Sequence, residues 1–187
     1  YLIRLLKNNF KTAVLSRGYK RETKGFVLLN ENHLAIDVGD EPLQYFQKFK
    51  NIDVAVCANR VKGITNLIKS NIPEVILLDD AFQHRKVKGS FYILLTKFDD
   101  LFMDDFLLPM GRLRESREGA KRADVILVSK CPENLTKESQ KLIRQKLLKF
   151  KKEVFFTSIS YAESVLGASE MLTSELKNFE VLLITGI

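Results

Sequence analysis

Apolar residues along this chain gather into short runs bounded by polar turns: Thr12 to Leu15, Gly25 to Leu29, Asp53 to Ala58, Val75 to Leu78, Tyr92 to Leu95, Val125 to Val128, Val154 to Phe156 and Val181 to Ile184. Runs this short, with little polar alternation, predict strands buried on both faces. Between several of them the spacing lengthens to that of a helix, at Leu43, Phe46, Gln47 and Phe49, at Val61, Ile64, Leu67 and Ile68, and at Leu142, Ile143, Leu147 and Leu148. Alternating strand and helix predicts an α/β fold: a mostly parallel sheet with helices on both faces, whose ligands sit beyond the carboxyl ends of the strands. Lys97 to Lys121 is too polar and too long for a simple turn, and ordered loops of that length are often functional.

Composition adds limits. With 187 residues and 45% apolar content the chain can bury an ordinary core, which excludes disorder. The net charge of +7 favours polyanionic partners (nucleotides, phospholipid headgroups or nucleic acid) without choosing among them. Cys57 and Cys131 stand far apart with no C-x-x-C spacing, so neither a disulfide framework nor a zinc site is indicated, and a reducing cytoplasm is expected. No run approaches the roughly 18 to 20 apolar residues of a spanning helix. The chain opens at Tyr1 and closes just past the last apolar run, so both ends are expected to lie inside a longer protein.

Candidate chemistry collects in four strings. Val75-Ile76-Leu77-Leu78-Asp79-Asp80 has the form of a Walker B element, a buried strand presenting carboxylates that hold Mg²⁺ directly or through water beside nucleotide phosphates. His84 follows closely enough to share their turn, whereas His33 is given no role. In Leu15-Ser16-Arg17-Gly18-Tyr19-Lys20-Arg21 a strand runs into a turn carrying three cations, a hydroxyl and an aromatic, which suits a phosphorylated sugar and equally suits a solvated strand end. Val38-Gly39-Asp40-Glu41-Pro42 reads either as ordinary helix-start chemistry or as a carboxylate placed to take a proton from an attacking hydroxyl. In Leu107-Leu108-Pro109-Met110-Gly111-Arg112-Leu113-Arg114-Glu115, Arg112 and Arg114 could neutralise a transferring phosphate or form surface ion pairs.

In this order, with the opening LIRLLK at Leu2 to Lys7, with Arg122-Ala123-Asp124 and with Val128-Ser129-Lys130-Cys131-Pro132, these strings resemble the tetraacyldisaccharide 4'-kinase family of lipid A synthesis. The resemblance covers most of the chain. It implies a P-loop NTPase-like fold, ATP and Mg²⁺ as cofactors, and a tetraacylated glucosamine disaccharide 1-phosphate as acceptor. Asp79 and Asp80 then correspond to the Walker B carboxylates that bind nucleotide and metal. Asp40 corresponds to the catalytic base, and His84, Arg114 and Glu115 line the active site, with Asp40, Asp80, His84 and Arg114 catalytic. Ser16, Arg17, Tyr19, Arg21, Glu41 and Glu115 are expected to bind the substrate. No G-x-x-x-x-G-K-[ST] string occurs, so the phosphate-cradling loop is expected upstream, and the chain is expected to be an inactive partial kinase domain, with a core over about 1–130 and the start of a C-terminal lobe over about 131–187. Ala81 stands where the family usually has Gly, in a turn expected to keep an ordinary conformation. The family's setting implies peripheral contact with the cytoplasmic face of the inner membrane, aided by basic side chains.

A GTPase-like or regulatory nucleotide-binding module, with Ser129 to Pro132 as a base-recognition loop, is the alternative; nucleotide hydrolysis without a lipid acceptor distinguishes it. Cations scattered among acids and the lack of any nucleic-acid motif argue against nucleic acid as a partner.

Overall fold

The computed structural model describes residues 1–165 and 171–182, which divide into two compact units, Tyr1–Tyr92 and Ile93–Ile187. The division falls inside the segment expected as a single core of about 1–130.

The first unit contains α1 (Leu2–Leu6), β1 (Thr12–Ser16), β2 (Val27–Leu28), α2 (Ala35–Val38), α3 (Asp40–Lys48), β3 (Asp53–Val56), α4 (Arg60–Asn71) and β4 (Val75–Leu78). Its sheet has the order β2-β3-β1-β4, with β1 parallel to both β3 and β4 and only β2 antiparallel. Successive side chains of a strand point to opposite faces, and the two cores obey that rule. Val14, Val54, Val56 and Leu77 pack on one face with Leu43, Phe46 and Phe49 from α3 and its C-cap. Ala13, Leu15, Ala55, Cys57, Ile76 and Leu78 pack on the other with Ile64 and Leu67 of α4. β1 is buried at all five positions, because it is flanked on both edges and covered on both faces. Gly63 lets α4 lie close on the sheet: a methyl group there would stand 2.8 Å from Leu15 Cδ2.

The second unit contains β5 (Ile93–Lys97), β6 (Val125–Cys131), α5 (Lys137–Leu147), β7 (Glu153–Ser158) and a short antiparallel pair, β8 (Ser164–Val165) with β9 (Met171–Leu172). β5, β6 and β7 form a parallel sheet in that order. Ile126, Val128 and Val154 meet Ile143, Leu147 and Phe150 from α5 and the turn after it. The opposite face carries Leu95, Leu127 and Phe155 in lateral register, and Leu95 and Phe155 remain 61% and 44% exposed. Helices on both faces are therefore realised in the first unit, whereas the described helix of the second packs on one. Thr136 caps α5 by accepting from Ser139 N–H, the expected role of a threonine before a helix. Of the final run expected as a strand, Val181 and Leu182 lie in no regular element, and Leu183 and Ile184 fall outside the described residues.

Candidate active site

Parallel pairing sets the first layer of the site. Ser16 ends β1, and Asp79 directly follows β4, its N–H donating to Leu15 O at 3.1 Å, so both side chains leave the same end of adjacent strands. Ser16 Oγ donates to Asp79 Oδ2 at 3.3 Å. β4 is the outermost described strand of its sheet rather than a central one, and β1 holds the centre. The chain then turns sharply. Asp80 has φ 43, a left-handed conformation that Asp tolerates better than most residues, and its side chain is exposed. Ala81 keeps an ordinary φ, as expected, so the strained position in this turn is the second aspartate.

A second layer comes from the segment before α3. Gly18 (φ 70) and Gly39 (φ 94) lie back to back; a Cβ on Gly39 would stand 3.1 Å from Tyr19 O and 3.4 Å from Gly18 Cα. That contact lays the Ser16–Arg21 loop against the start of α3. Gly39 is the N-cap of α3 and no side chain caps it, so Asp40 occupies the first turn without a capping bond and is exposed. Glu41 turns inward. Its carboxyl group hydrogen-bonds Asp79 and accepts from Tyr45 Oη at 2.9 Å, one helical turn on. Burial first, then the charge and hydrogen bond of Glu41, push the Asp79 carboxyl up to about 6, against the opposing pull of Ser16. Burial, with the same carboxylates, raises the Tyr45 phenol, keeping it a neutral donor.

Arg60 completes the cluster. It is 3% exposed, and its two terminal nitrogens donate to Cys57 O at 2.7 Å and Asp79 O at 3.0 Å, tying the ends of β3 and β4 together across β1. Burial lowers its pKa while Asp79 opposes that shift, and its Nε has no hydrogen-bond partner. Sequence reasoning missed Arg60 and Tyr45. A cation in the first turn of a helix opposes the helix dipole, and that unfavourable placement was the available signal for Arg60; Tyr45 offered none beyond its i+4 spacing from Glu41.

The other expected residues are placed as follows. Arg17 is exposed and close enough to Arg60 to lower its pKa further, and Tyr19 is exposed. Arg21 is tied to its own loop, donating to Gly25 O at 2.5 Å and Thr23 Oγ1 at 3.3 Å. His84 donates its backbone N–H to Ala81 O at 2.8 Å, and its Nε2 is buried without a hydrogen-bond partner. Arg114 and Glu115 belong to the second unit, where Glu115 accepts from Arg122 Nη2 at 2.8 and 2.9 Å and Arg114 is exposed.

Ser16 Oγ and the Asp79 and Asp80 carboxylates are hard oxygen donors that fit Mg²⁺, and the crowding of Asp79 by Glu41 is a repulsion that a dication would relieve. Among the described residues no cluster of three or more His, Cys, Asp or Glu side chains forms a self-sufficient metal cage.

A mostly parallel sheet with helices on both faces, presenting a hydroxyl and paired carboxylates at its strand ends, is an α/β architecture like that of the P-loop kinases. The family model for Tetraacyldisaccharide-1-P 4'-kinase matches residues 1–187, and the chain belongs to that family. It is 55% identical to the tetraacyldisaccharide 4'-kinase of Flavobacterium johnsoniae and 43% identical to that of Bacteroides thetaiotaomicron, in each case over 100% of this chain and 56% or 53% of the relative. The chain thus spans about half the length of the curated relatives it matches. The crystal structure of LpxK from Aquifex aeolicus in complex with ATP superposes with a TM-score of 0.62 at 29% identity, covering 85% of this chain and 64% of that one.

Proposed function

We propose that this chain forms part of an ATP-dependent kinase that phosphorylates the 4'-hydroxyl of a tetraacylated glucosamine disaccharide 1-phosphate in lipid A synthesis. The observation that carries this reading is the cluster at the strand ends, where Ser16, Asp79 and Glu41 are hydrogen-bonded and Asp40 precedes Glu41 on the first turn of α3. Asp79 and Asp80 would hold Mg²⁺, which supplies charge neutralisation at the β- and γ-phosphates. Asp40 takes the proton of the sugar hydroxyl as its oxygen attacks the γ-phosphorus and ADP departs. Arg17, Tyr19, Arg21 and Glu41, with Glu115, bind the acceptor, and Arg114 offsets charge on the transferred group. His84, with its buried open nitrogen, completes the polar lining.

The family relation and the LpxK–ATP likeness support ATP as the donor. No helix of the described residues is long and apolar enough to cross a membrane, and the +7 charge suits peripheral contact with an anionic cytoplasmic leaflet. The chain alone is expected to be inactive, because it contains no G-x-x-x-x-G-K-[ST] phosphate cradle. The test is to complete residues 1–187 with the remaining sequence of the Flavobacterium johnsoniae relative and to measure transfer of labelled γ-phosphate to the lipid acceptor. Acceptor-dependent transfer by the completed chain, and none by residues 1–187, is the expected result. Nucleotide hydrolysis that ignores the lipid would sink the proposal and favour a GTPase-like module.

A further inference from the structure

One span of the long loop between β5 and β6 is closed by the Asp105 carboxylate. Asp105 Oδ1 accepts from Phe106 N–H at 2.7 Å and from Arg112 N–H at 3.2 Å, and Oδ2 lies 3.3 Å from the same Arg112 nitrogen. These bonds join the two ends of a seven-residue span, which also closes on itself through Leu113 N–H to Phe106 O at 3.0 Å and Leu108 N–H to Leu113 O at 3.1 Å. Gly111 is pressed against this carboxylate: a Cβ there would collide with Asp105 Oδ1 and Phe106 O, and would stand 2.6 Å from Phe106 N. Arg117 adds a bond to Asp105 O at 2.6 Å. The loop therefore leaves its closure point at Arg112 and Leu113 in one direction, and the next two residues are Arg114 and Glu115.

We propose that Asp105 is a positioning residue for the phosphoryl transfer, fixing through this closure the direction in which Arg114 is presented. The inference rests on the reading above that Arg114 acts in that reaction. The magnitudes separate the carboxylate from its most obvious salt bridge. The Arg112 side chain pairs at 2.5 Å with Asp100 and only approaches Asp105, Nε 3.7 Å from Oδ2, and it is 71% exposed against 17% for Asp105. A solvated ion pair of that length contributes little, whereas charge-assisted bonds from backbone N–H groups to a mostly buried carboxylate are stronger and directional. The closure is thus expected to survive loss of the Arg112 side chain and to fail on loss of the Asp105 carboxylate.

The test uses the completed chain with lipid and ATP. Asp105→Ala should lower kcat by about 10- to 100-fold, the scale expected when a charge-stabilising group is misplaced by about an ångström. Asp105→Asn, whose amide oxygen still accepts an N–H, should fall between it and the parent, and Arg112→Ala should stay within about threefold. Gly111→Ala, which leaves the carboxylate but displaces it, should reproduce the Asp105→Ala loss. In an Arg114→Ala background, Asp105→Ala should add less than about twofold, because it acts through a side chain already removed. Amide exchange at Phe106 and Arg112 should quicken in Asp105→Ala, a readout independent of catalysis. Parent-like turnover in Asp105→Ala beside a crippled Arg114→Ala overturns the inference, as does full additivity of the two. Normal turnover in Arg114→Ala removes the reading beneath it, a failure recognisably different from the first. Should Asp105→Ala not fold, Asp105→Asn and Gly111→Ala decide by the same comparisons.

Discussion

In the first unit the side chains proposed to act leave the ends of parallel strands, whereas in the second they ride on a loop of more than twenty residues pinned by polar clamps. Asp79 takes its place from a strand register shared with β1, and the fully buried β1 is hard to move. Glu115 takes its place from Arg122, and Arg114 follows directly on the span closed by Asp105. One arrangement derives its accuracy from apolar packing and the other from hydrogen bonds near water. Damage to the packing and backbone staples beneath the strand ends should therefore register mainly as lost stability, and damage on the loop as lost turnover in a protein that still folds.

Asp40 offers the sharpest exception. It belongs to the first unit but is exposed and caps nothing, so Asp40→Asn should leave the melting temperature unchanged while turnover of the completed chain falls by roughly 10²- to 10⁴-fold. Turnover close to the parent's would remove Asp40 from the chemistry and leave Asp80 or His84 as the next base to examine. Arg60 should show the opposite behaviour. Arg60→Met leaves Cys57 O and Asp79 O without their buried donor and should cost about 2–4 kcal/mol, read from the urea midpoint of residues 1–187. A loss below half a kcal/mol would mean that the strand ends do not need this staple.

Asp79 provides a pH test. Its carboxyl is raised from 3.8 to about 6 in the folded chain, so folding favours the protonated form. The associated stability is fully present below about pH 3.8 and is lost as pH rises through about 6. Two pKa units correspond to about 3 kcal/mol, which partial solvent access reduces to about 1–2 kcal/mol. Asp79→Asn should accordingly raise the melting temperature at pH 7.5 and flatten its dependence between pH 4 and 6.5; an unchanged slope would show that neither burial nor Glu41 raises Asp79 in solution. Smallest of all should be the stability effect of Arg122→Ala, under about 1 kcal/mol for a pair with both side chains about 30% exposed, with a larger loss of turnover as Glu115 is released. Equal losses of both would erase the distinction between the two units.

The strand ends were legible because a strand covered on both faces carries an unbroken apolar run, and although β4, outermost of its described sheet, is only half-buried at all four positions, the carboxylates beyond Leu78 mark where it stops. The helices at Leu43 and Ile64 were legible by the same logic of spacing. What escaped were contacts made across the fold. Nothing local says that Glu41, rather than its neighbour Asp40, meets Asp79, or that an arginine early in α4 reaches over β1 to the next strand. β2 read as one more strand, but its antiparallel direction depends on how the loop through Gly18 and Gly25 returns, which a hydrophobic pattern does not encode. By resemblance Arg21 is expected among the substrate ligands, and Arg112 reads either as a partner of phosphate or as half of a surface ion pair; the structure ties Arg21 to its own loop and pairs Arg112 with Asp100.

The row of Leu95, Leu127 and Phe155 across β5, β6 and β7 has a practical consequence. A tetraacylated acceptor reaches an assay dispersed in surfactant, and a wetted apolar row is where surfactant tails adsorb. Residues 1–187 in isolation would therefore take up micelles, and with them lipid, by plain partitioning that saturates with detergent rather than with acceptor. Retention of radiolabelled lipid on this chain is accordingly a poor measure of recognition; competition by the deacylated disaccharide phosphate, which has no tails to partition, separates the two.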